Sequence, residues 1–207
     1  MLYYSFENGT ATDNFNGYGG TDTGSAITSS FAKNGSYSAG TFSSSNTGQY
    51  ISLPSISITA SNGVSISLWI YCSGVAASDD VKVFELYQDQ GLLLWQGKNS
   101  YNFSWCDGGT FSISQNNWTH LVLTLAYPVS SYCVSTVYIN GVYSSGGSST
   151  TRSTSYYPSG GSITTGRIGR SISSSHKPFT GNIDDFKVYN KILSLSDAYS
   201  LYTNVAV

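Results

Sequence analysis

Carboxylates are the side chains of this sequence with the clearest potential for catalysis. Hydrolysis of a glycosidic bond needs two of them, about 5 to 10 Å apart, flanking the bond that breaks. The chain has only two glutamates, Glu7 and Glu85, and they lie far apart in the sequence. Asp79 and Asp80 follow a run of small residues and fit a solvated loop. We therefore expect no enzymatic activity, and a glycan hydrolase is the least favoured hypothesis.

Other reactive side chains give no catalytic or zinc pattern. His120 and His176 could serve as bases, but no GxSxG segment supplies a nucleophile. The three cysteines, Cys72, Cys106 and Cys133, are widely spaced and form no CxxC pair, so a zinc site is not expected. Buried free thiols and one disulfide both remain open.

Low charge excludes one class of partner. Asp, Glu, Lys and Arg make up 10% of the 207 residues, against about 25% in ordinary soluble domains. A net charge of −2 gives no field that attracts a polyanion, so we expect no nucleic-acid binding. No stretch approaches the roughly 18 apolar residues of a membrane span, so membrane insertion is not expected either.

Alternation of apolar and polar residues is the main structural signal. Over residues 64–72 every second side chain is aliphatic or a thiol, and serines and aromatic rings lie between them. Because successive side chains of a strand point to opposite faces of a sheet, the aliphatic set predicts the core face. The chain is rich in Gly, Ser, Thr and Tyr, and its apolar residues seldom recur at the spacing of a helix. Both features favour an all-β sandwich or barrel.

The second face of these strands is predicted to carry aromatic and polar side chains. Sugars pack their C–H faces on aromatic rings and bond their hydroxyls to amides and short polar groups, so such a face suits a glycan. We expect a nearby strand over residues 92–96 to add an aromatic and an amide side chain to this face. The candidate ligand-binding residues are Trp69, Tyr71, Trp95, Gln96, His120 and Tyr138. Packing of the tryptophans beneath crossing loops is the alternative.

The segment over residues 179–202, FTGNIDDFKVYNKILSLSDAYSLY, resembles the closing segment of laminin-G-like domains. It has the glycine turn, the Ile-Asp-Asp strand and a helix that Ser194 or Ser196 can cap. The segments WTHLV at 118–122 and VYING at 137–141 are similar to two further family motifs. This resemblance implies a two-sheet antiparallel jelly-roll sandwich of the concanavalin A-like type, with a short C-terminal helix.

The resemblance also implies a structural calcium site. In many relatives of this fold, the aspartate of the closing strand binds calcium together with carbonyls from the first strand and the loop that follows. Asp184 occupies the position of that aspartate, and Glu7 and Gly35 are the expected carbonyl partners. The alternative is that Asp184 accepts backbone N–H bonds and ties the two termini together without metal.

We expect one laminin-G-like domain over residues 1–207, although the Ser/Gly-rich stretch 144–161 has the composition of a linker. The implied function is a non-catalytic recognition module for carbohydrate or a glycosylated surface, alone or beside other domains or subunits. A structural or assembly protein without a sugar site is the alternative. The first residues carry no signal-peptide pattern, and we expect an extracellular or virion-surface location.

Overall fold

The computed structural model describes residues 1–15, 17–29, 31–42, 48–57, 63–74, 81–86, 93–96, 101–104, 110–129, 132–149, 162–163, 165–173 and 176–204. The strands, in chain order, are β1 (Leu2–Tyr4), β2 (Thr21–Thr23), β3 (Ile27–Thr28), β4 (Ser38–Phe42), β5 (Tyr50–Leu53), β6 (Ile56–Ser57), β7 (Val64–Cys72), β8 (Val81–Glu85), β9 (Leu93–Gln96), β10 (Tyr101–Ser104), β11 (Thr110–Phe111), β12 (Trp118–Val129), β13 (Tyr132–Ile139), β14 (Val142–Ser149), β15 (Ser162–Ile163), β16 (Gly166–Ile168), β17 (Lys177–Pro178) and β18 (Gly181–Tyr189). The helix α1 spans Leu195–Tyr202.

The strands form two large sheets. The first has the order β14-β13-β12-β7-β18-β4-β3, and β1 pairs with one end of β18. The second has the order β11-β10-β9-β8-β16-β5-β2, with β17 beside β8, while β6 and β15 form a separate pair. Among the described pairings only that of β17 with β8 is parallel. The predicted all-β, two-sheet, jelly-roll-like sandwich with one short helix is confirmed.

The core lies between the two sheets. Strand β7 contributes its alternate side chains from Val64 to Cys72 to this core, as the alternation predicts. Ile51 and Phe84 face them from the second sheet. A core filled from both sheets stabilises the sandwich because each sheet removes apolar surface of the other from water.

The hairpin between β13 and β14 turns at Asn140 and Gly141. Both residues have positive φ, 51° and 76°, as a tight two-residue hairpin turn requires. A Cβ at Gly141 would lie 2.9 Å from Cα of Tyr199, so glycine also lets helix α1 approach the turn.

Helix α1 packs against the outer face of the first sheet. Ser194 caps its first turn by accepting the N–H of Asp197, whose carboxylate accepts the N–H of Ser194 in return. Ala198 and Leu193 then form a small apolar cluster with Val122 and Tyr189 of the sheet. The first sheet is therefore covered on both faces in this region, and the expectation of an open outer face is wrong there.

Two sequence features have further structural outcomes. The Ser/Gly-rich stretch begins as a strand, since β14 extends to Ser149, and residues 150–161 lie outside the described residues. Cys133 is disulfide-bonded, whereas Cys72 is buried outside any disulfide and its thiol donates to the carbonyl of Gly74 at 2.8 Å. No helix within the described ranges is long and apolar enough to cross a membrane.

Ser65 links β7 to the segment that leads into the helix. Its hydroxyl donates to the carbonyl of Lys191 at 2.8 Å and accepts the buried N–H of Leu193 at 2.9 Å. Ser65→Ala should lower the free energy of unfolding by about 1–3 kcal/mol, because it leaves a buried N–H and a carbonyl without this partner. Urea unfolding beside Ser144→Ala, which changes an exposed serine of β14, provides the measurement. Equal stability of the two variants would contradict this role.

Candidate functional site

The closing strand β18 contains a bulge at its two aspartates. Ile183 and Phe186 both lie in the core, although regular alternation cannot place residues three apart on one face. The pairing with β7 shifts register between Asp184 and Lys187, and Asp185 has a φ of 49°. An extra residue of this kind bends a strand and re-aims its side chains. Here it directs both carboxylates to the same neighbouring loop.

That loop, residues 31–36, is held mainly by carboxylates. Asp184 Oδ2 accepts the N–H groups of Lys33 at 2.9 Å and Asn34 at 3.1 Å. Asp185 Oδ2 accepts the side-chain amide of Asn34 at 2.6 Å. Glu7 Oε2 accepts the N–H of Ser36 at 2.7 Å. Three acidic residues thus accept four hydrogen bonds from the loop and fix it against β18 and the segment that follows β1.

A groove of about 750 Å³ opens beside this loop, and we call it the Asp185 groove. Its lining combines aromatic, amide and charged side chains, among them those of Tyr3, Phe15, Lys33, Asn34, Asp185 and Lys187. The pairing of β1 with β18 brings Tyr3 opposite Lys187, so the groove joins the first and last strands of the described fold.

Two aromatic rings form one side of the Asp185 groove. The Tyr3 and Phe15 ring centroids lie 5.8 Å apart at an interplanar angle of 43°, and Phe15 is 59% exposed. Asp13 positions both residues, because its Oδ1 accepts the N–H of Tyr3 at 2.7 Å and that of Phe15 at 3.3 Å. The exposed ring of Phe15 is therefore positioned by the hydrogen bond of its own N–H to Asp13 and by contact with the Tyr3 ring.

Hydrogen bonding and charge define the rest of the Asp185 groove. The Tyr3 hydroxyl donates to Asp185 Oδ1 at 2.5 Å, and burial together with this acceptor raises the pKa of Tyr3. Lys187 Nζ lies 4.3 Å from the Tyr3 ring centroid, and Lys33 Nζ lies 4.4 Å from that of Trp69. Cation–π contacts of this length hold an ammonium group over a ring. The groove thus presents fixed donors next to an apolar surface.

The structure does not bring the six ligand-binding residues predicted from the sequence onto one open surface. Trp69 and His120 are 4% and 2% exposed, because Tyr202 of helix α1 covers them at centroid distances of 5.8 and 6.3 Å. Burial, with a smaller contribution from the charge of Lys187, lowers the pKa of His120 to about 3, so the ring is neutral at pH 7. Ligand binding at these two residues stays a prediction that the helix packing disfavours.

The remaining predicted residues are divided between the two sheets. Tyr71 is half-buried beside Phe31, at a centroid distance of 4.5 Å, and Tyr138 is half-buried beside Tyr143. Trp95 and Gln96 belong to β9 in the second sheet, so the expectation of a single surface with Trp69 is wrong. Their side chains lie outside the described residues. The sequence prediction missed the Asp185 groove, although the odd spacing of Ile183 and Phe186 signalled its bulge.

At the predicted calcium site, backbone N–H groups bind the carboxylate of Asp184. Besides the two N–H groups on Oδ2, the Oδ1 atom accepts the N–H of Asp185 at 2.8 Å, so both oxygens are already occupied by donors. A Cβ at Gly35 would overlap the Glu7 carboxylate, which shows how tightly the side chain of Glu7 fills that position. No group of three or more His, Cys, Asp or Glu side chains in the described ranges is placed to hold a metal ion. Calcium binding by Asp184 with the backbone carbonyls of Glu7 and Gly35 stays a prediction.

The buried Asp184 predicts a pH dependence of stability. Burial raises its pKa from 3.8 to about 7, and the accepted N–H bonds offset part of that rise. The native state then binds this proton more tightly than the unfolded chain does. The contribution of Asp184 to the free energy of unfolding is complete below about pH 4 and is lost as the pH rises through 7.

Urea unfolding at pH 4, 5, 6 and 7 measures this dependence directly. The free energy of unfolding of the native protein should fall relative to that of Asp184→Asn, which does not titrate, by a few kcal/mol across the series. The comparison cancels the titration of the other carboxylates. A difference between the two proteins that stays constant from pH 4 to 7 would show that Asp184 titrates normally.

Several solved structures resemble this fold. Domain 4 of AbnA, a GH43 extracellular arabinanase from Geobacillus stearothermophilus solved with arabinotriose, is 22% identical with a TM-score of 0.64 over 97% of each chain. The binding domain of botulinum neurotoxin serotype D/C is 14% identical with a TM-score of 0.71. A structure of botulinum neurotoxin type C, whose cell entry depends on interaction with two ganglioside molecules, is 15% identical with a TM-score of 0.69.

These similarities establish the fold. The present chain is covered over 99% and 100% by the two neurotoxin structures but spans about half of their length, 51% in each case. A comparison with curated proteins gives no match. The family model of the concanavalin A-like lectin/glucanases superfamily matches residues 44–198, which is most of the sequence. The chain therefore belongs to the concanavalin A-like lectin/glucanase superfamily.

Proposed function

We propose that this chain is a non-catalytic module that binds carbohydrate in the Asp185 groove. The observation that carries the proposal is an exposed aromatic ring, Phe15, held beside Tyr3 and next to the polar groups of Asn34 and Asp185. Sugars need this combination, because their C–H faces pack on rings and their hydroxyls bond to amides and carboxylates.

The neighbouring structures support the same class of ligand. The arabinanase domain was solved in complex with arabinotriose, and cell entry of the type C neurotoxin depends on interaction with two ganglioside molecules. A further neurotoxin binding domain was solved with rat synaptotagmin II. Since likeness at this level of identity transfers the fold alone, the ligand of this chain has to be argued from its own groove.

The described carboxylates favour binding over hydrolysis. Asp185 accepts hydrogen bonds on both oxygens, from Tyr3 and Asn34, and Glu85 is buried with one oxygen accepting from Ser171 and Ile172. A general acid or base has to exchange a proton with its substrate, which such bonds oppose. Turnover of a polysaccharide that disappears on replacement of Glu7 or Asp185 would support a hydrolase instead.

The expected partner is a glycan or glycoprotein surface outside the cell or on a virion. The disulfide at Cys133 supports such a location, because disulfides persist mainly in oxidising compartments. The low charge of the chain is common among such proteins.

Replacement of Phe15 tests the proposed site. Phe15→Ala should weaken binding of the oligosaccharide selected from a glycan array by about tenfold or more, because it removes the ring on which the sugar packs. Tyr143→Ala is the matched control, since Tyr143 is also 59% exposed and lies on another surface. Isothermal titration calorimetry measures both affinities. Equal affinities of the two variants and the native protein would place the sugar elsewhere.

An assembly role is the second candidate. Val142, Tyr143, Leu195 and Tyr199 are each more than half exposed around a shallow groove of about 690 Å³. This patch adjoins β14, the last strand of the first sheet, whose sequence VYSSGGSS carries no charge. Uncharged edge strands and apolar patches favour pairing with another chain, here a second copy. A dimer in light scattering that Tyr143→Ala dissociates, without any glycan binding, would support this role.

A further inference from the structure

We infer that the ligand of the Asp185 groove is an anionic sugar, one that carries a carboxylate or a sulfate. The inference rests on the proposed function and specifies its substrate class. It comes from the two lysines that line the groove, Lys33 and Lys187, and from the way their ammonium groups are held.

Both ammonium groups lack an anionic partner in the part of the chain that the structure describes. Lys33 Nζ is 4.4 Å from the Trp69 ring centroid and Lys187 Nζ is 4.3 Å from that of Tyr3. Neither group makes an ion pair or a hydrogen bond with another described residue. Lysines on a protein surface usually extend into water, whereas these two are each fixed over an aromatic face at the edge of one groove.

Two carboxylates, Glu7 and Asp185, also line the groove, and neither forms an ion pair with the two lysines among the described residues. Asp185 accepts from Tyr3 and Asn34, and Glu7 Oε2 accepts from Ser36. These bonds are short and link the loop to the strands, so the acids serve the fold rather than the lysines. Because neutral donors leave the charge of a carboxylate in place, the groove holds two acids beside the two lysines, and an acidic sugar would be recognised by direct contact with the N–H donors of the ammonium groups.

The geometry of a cation–π contact suits anion binding. The ring contacts one side of each ammonium group, which leaves N–H donors pointing away from the ring. The ring also restricts the flexible side chain before a ligand arrives, and this lowers the entropic cost of binding. A sugar packed on Phe15 would place its acidic group between donors that are already positioned. A neutral sugar would desolvate the same donors without offering a charge in return.

The experiment compares matched acidic and neutral sugars on the complete chain. The pairs are trigalacturonate with its methyl ester, sialyllactose with lactose, and lactose 3′-sulfate with lactose. Calorimetry at low and high salt measures the affinities. At least one acidic sugar should bind about tenfold more tightly than its neutral partner at low salt, and the preference should shrink as salt rises. The pairs separate carboxylate from sulfate recognition.

Variants then assign the preference to the two lysines. Lys33→Gln and Lys187→Gln should each weaken acidic-sugar binding by about tenfold, because the charge of the hydrogen-bond donor is lost while a polar side chain of similar size is kept. Lys191→Gln, which changes an exposed lysine that does not line the groove, is the control and should change neither affinity nor preference. Unchanged thermal midpoints show that the variants fold.

The outcomes distinguish this inference from the function on which it rests. Equal binding of acidic and neutral sugars, lost in Phe15→Ala but retained in both glutamine variants, overturns the anionic preference and keeps the carbohydrate site. Absence of binding by every sugar of the panel overturns the proposed function, and the inference with it.

Discussion

The burial of Asp184 is the constraint on which the rest of this structure depends. A carboxylate with no solvent exposure has to find hydrogen-bond donors within the protein, or it costs several kcal/mol. Asp184 finds three backbone N–H groups, two of them from the loop at residues 31–36. This requirement holds a loop about 150 residues away in sequence against the closing strand. The positions of Lys33 and Asn34, which belong to that loop, are fixed by the same bonds.

The same bulge gives Asp185 a separate role. Because Asp185 has a left-handed backbone conformation, the strand accommodates both aspartates while Ile183 and Phe186 remain in the core. The side chain of Asp185 can then join Tyr3 of the first strand to Asn34 of the loop. A strand without the bulge would send consecutive side chains to opposite faces, and one carboxylate would point into the apolar core.

The helix determines what the outer face of the first sheet can do. Val122 and Tyr189 are apolar positions on that face, and helix α1 removes them from water together with Leu193 and Ala198. Trp69 and His120 are buried by the same packing. Aromatic rings on this face are therefore mostly structural, and the exposed ring that we assign to ligand binding, Phe15, lies at its margin with β1.

The sequence predicts the sheets better than it predicts the site. Alternation within 64–72 assigns the core face correctly, and Ser194 marks the start of the helix, because both signals are local. Tyr202 covers Trp69 through a contact between segments that are distant in sequence, which local patterns do not reveal. The serines that share a strand face with Trp69 suggest that its ring is exposed, but the helix buries it. The groove is equally non-local, since Tyr3, Phe15, Asn34 and Asp185 meet only once β1 pairs with β18.

A binding site on this fold has to be located by its ligand, since related scaffolds carry different sites. Chemical-shift mapping of the ¹⁵N-labelled chain, titrated with a sugar that it binds, tests the assignment to the Asp185 groove most directly. We expect the largest changes at the backbone amides of Lys33, Asn34 and Asp185. Changes confined to the second sheet, for example at Ser52 and Arg167, with those three amides unmoved, would contradict it.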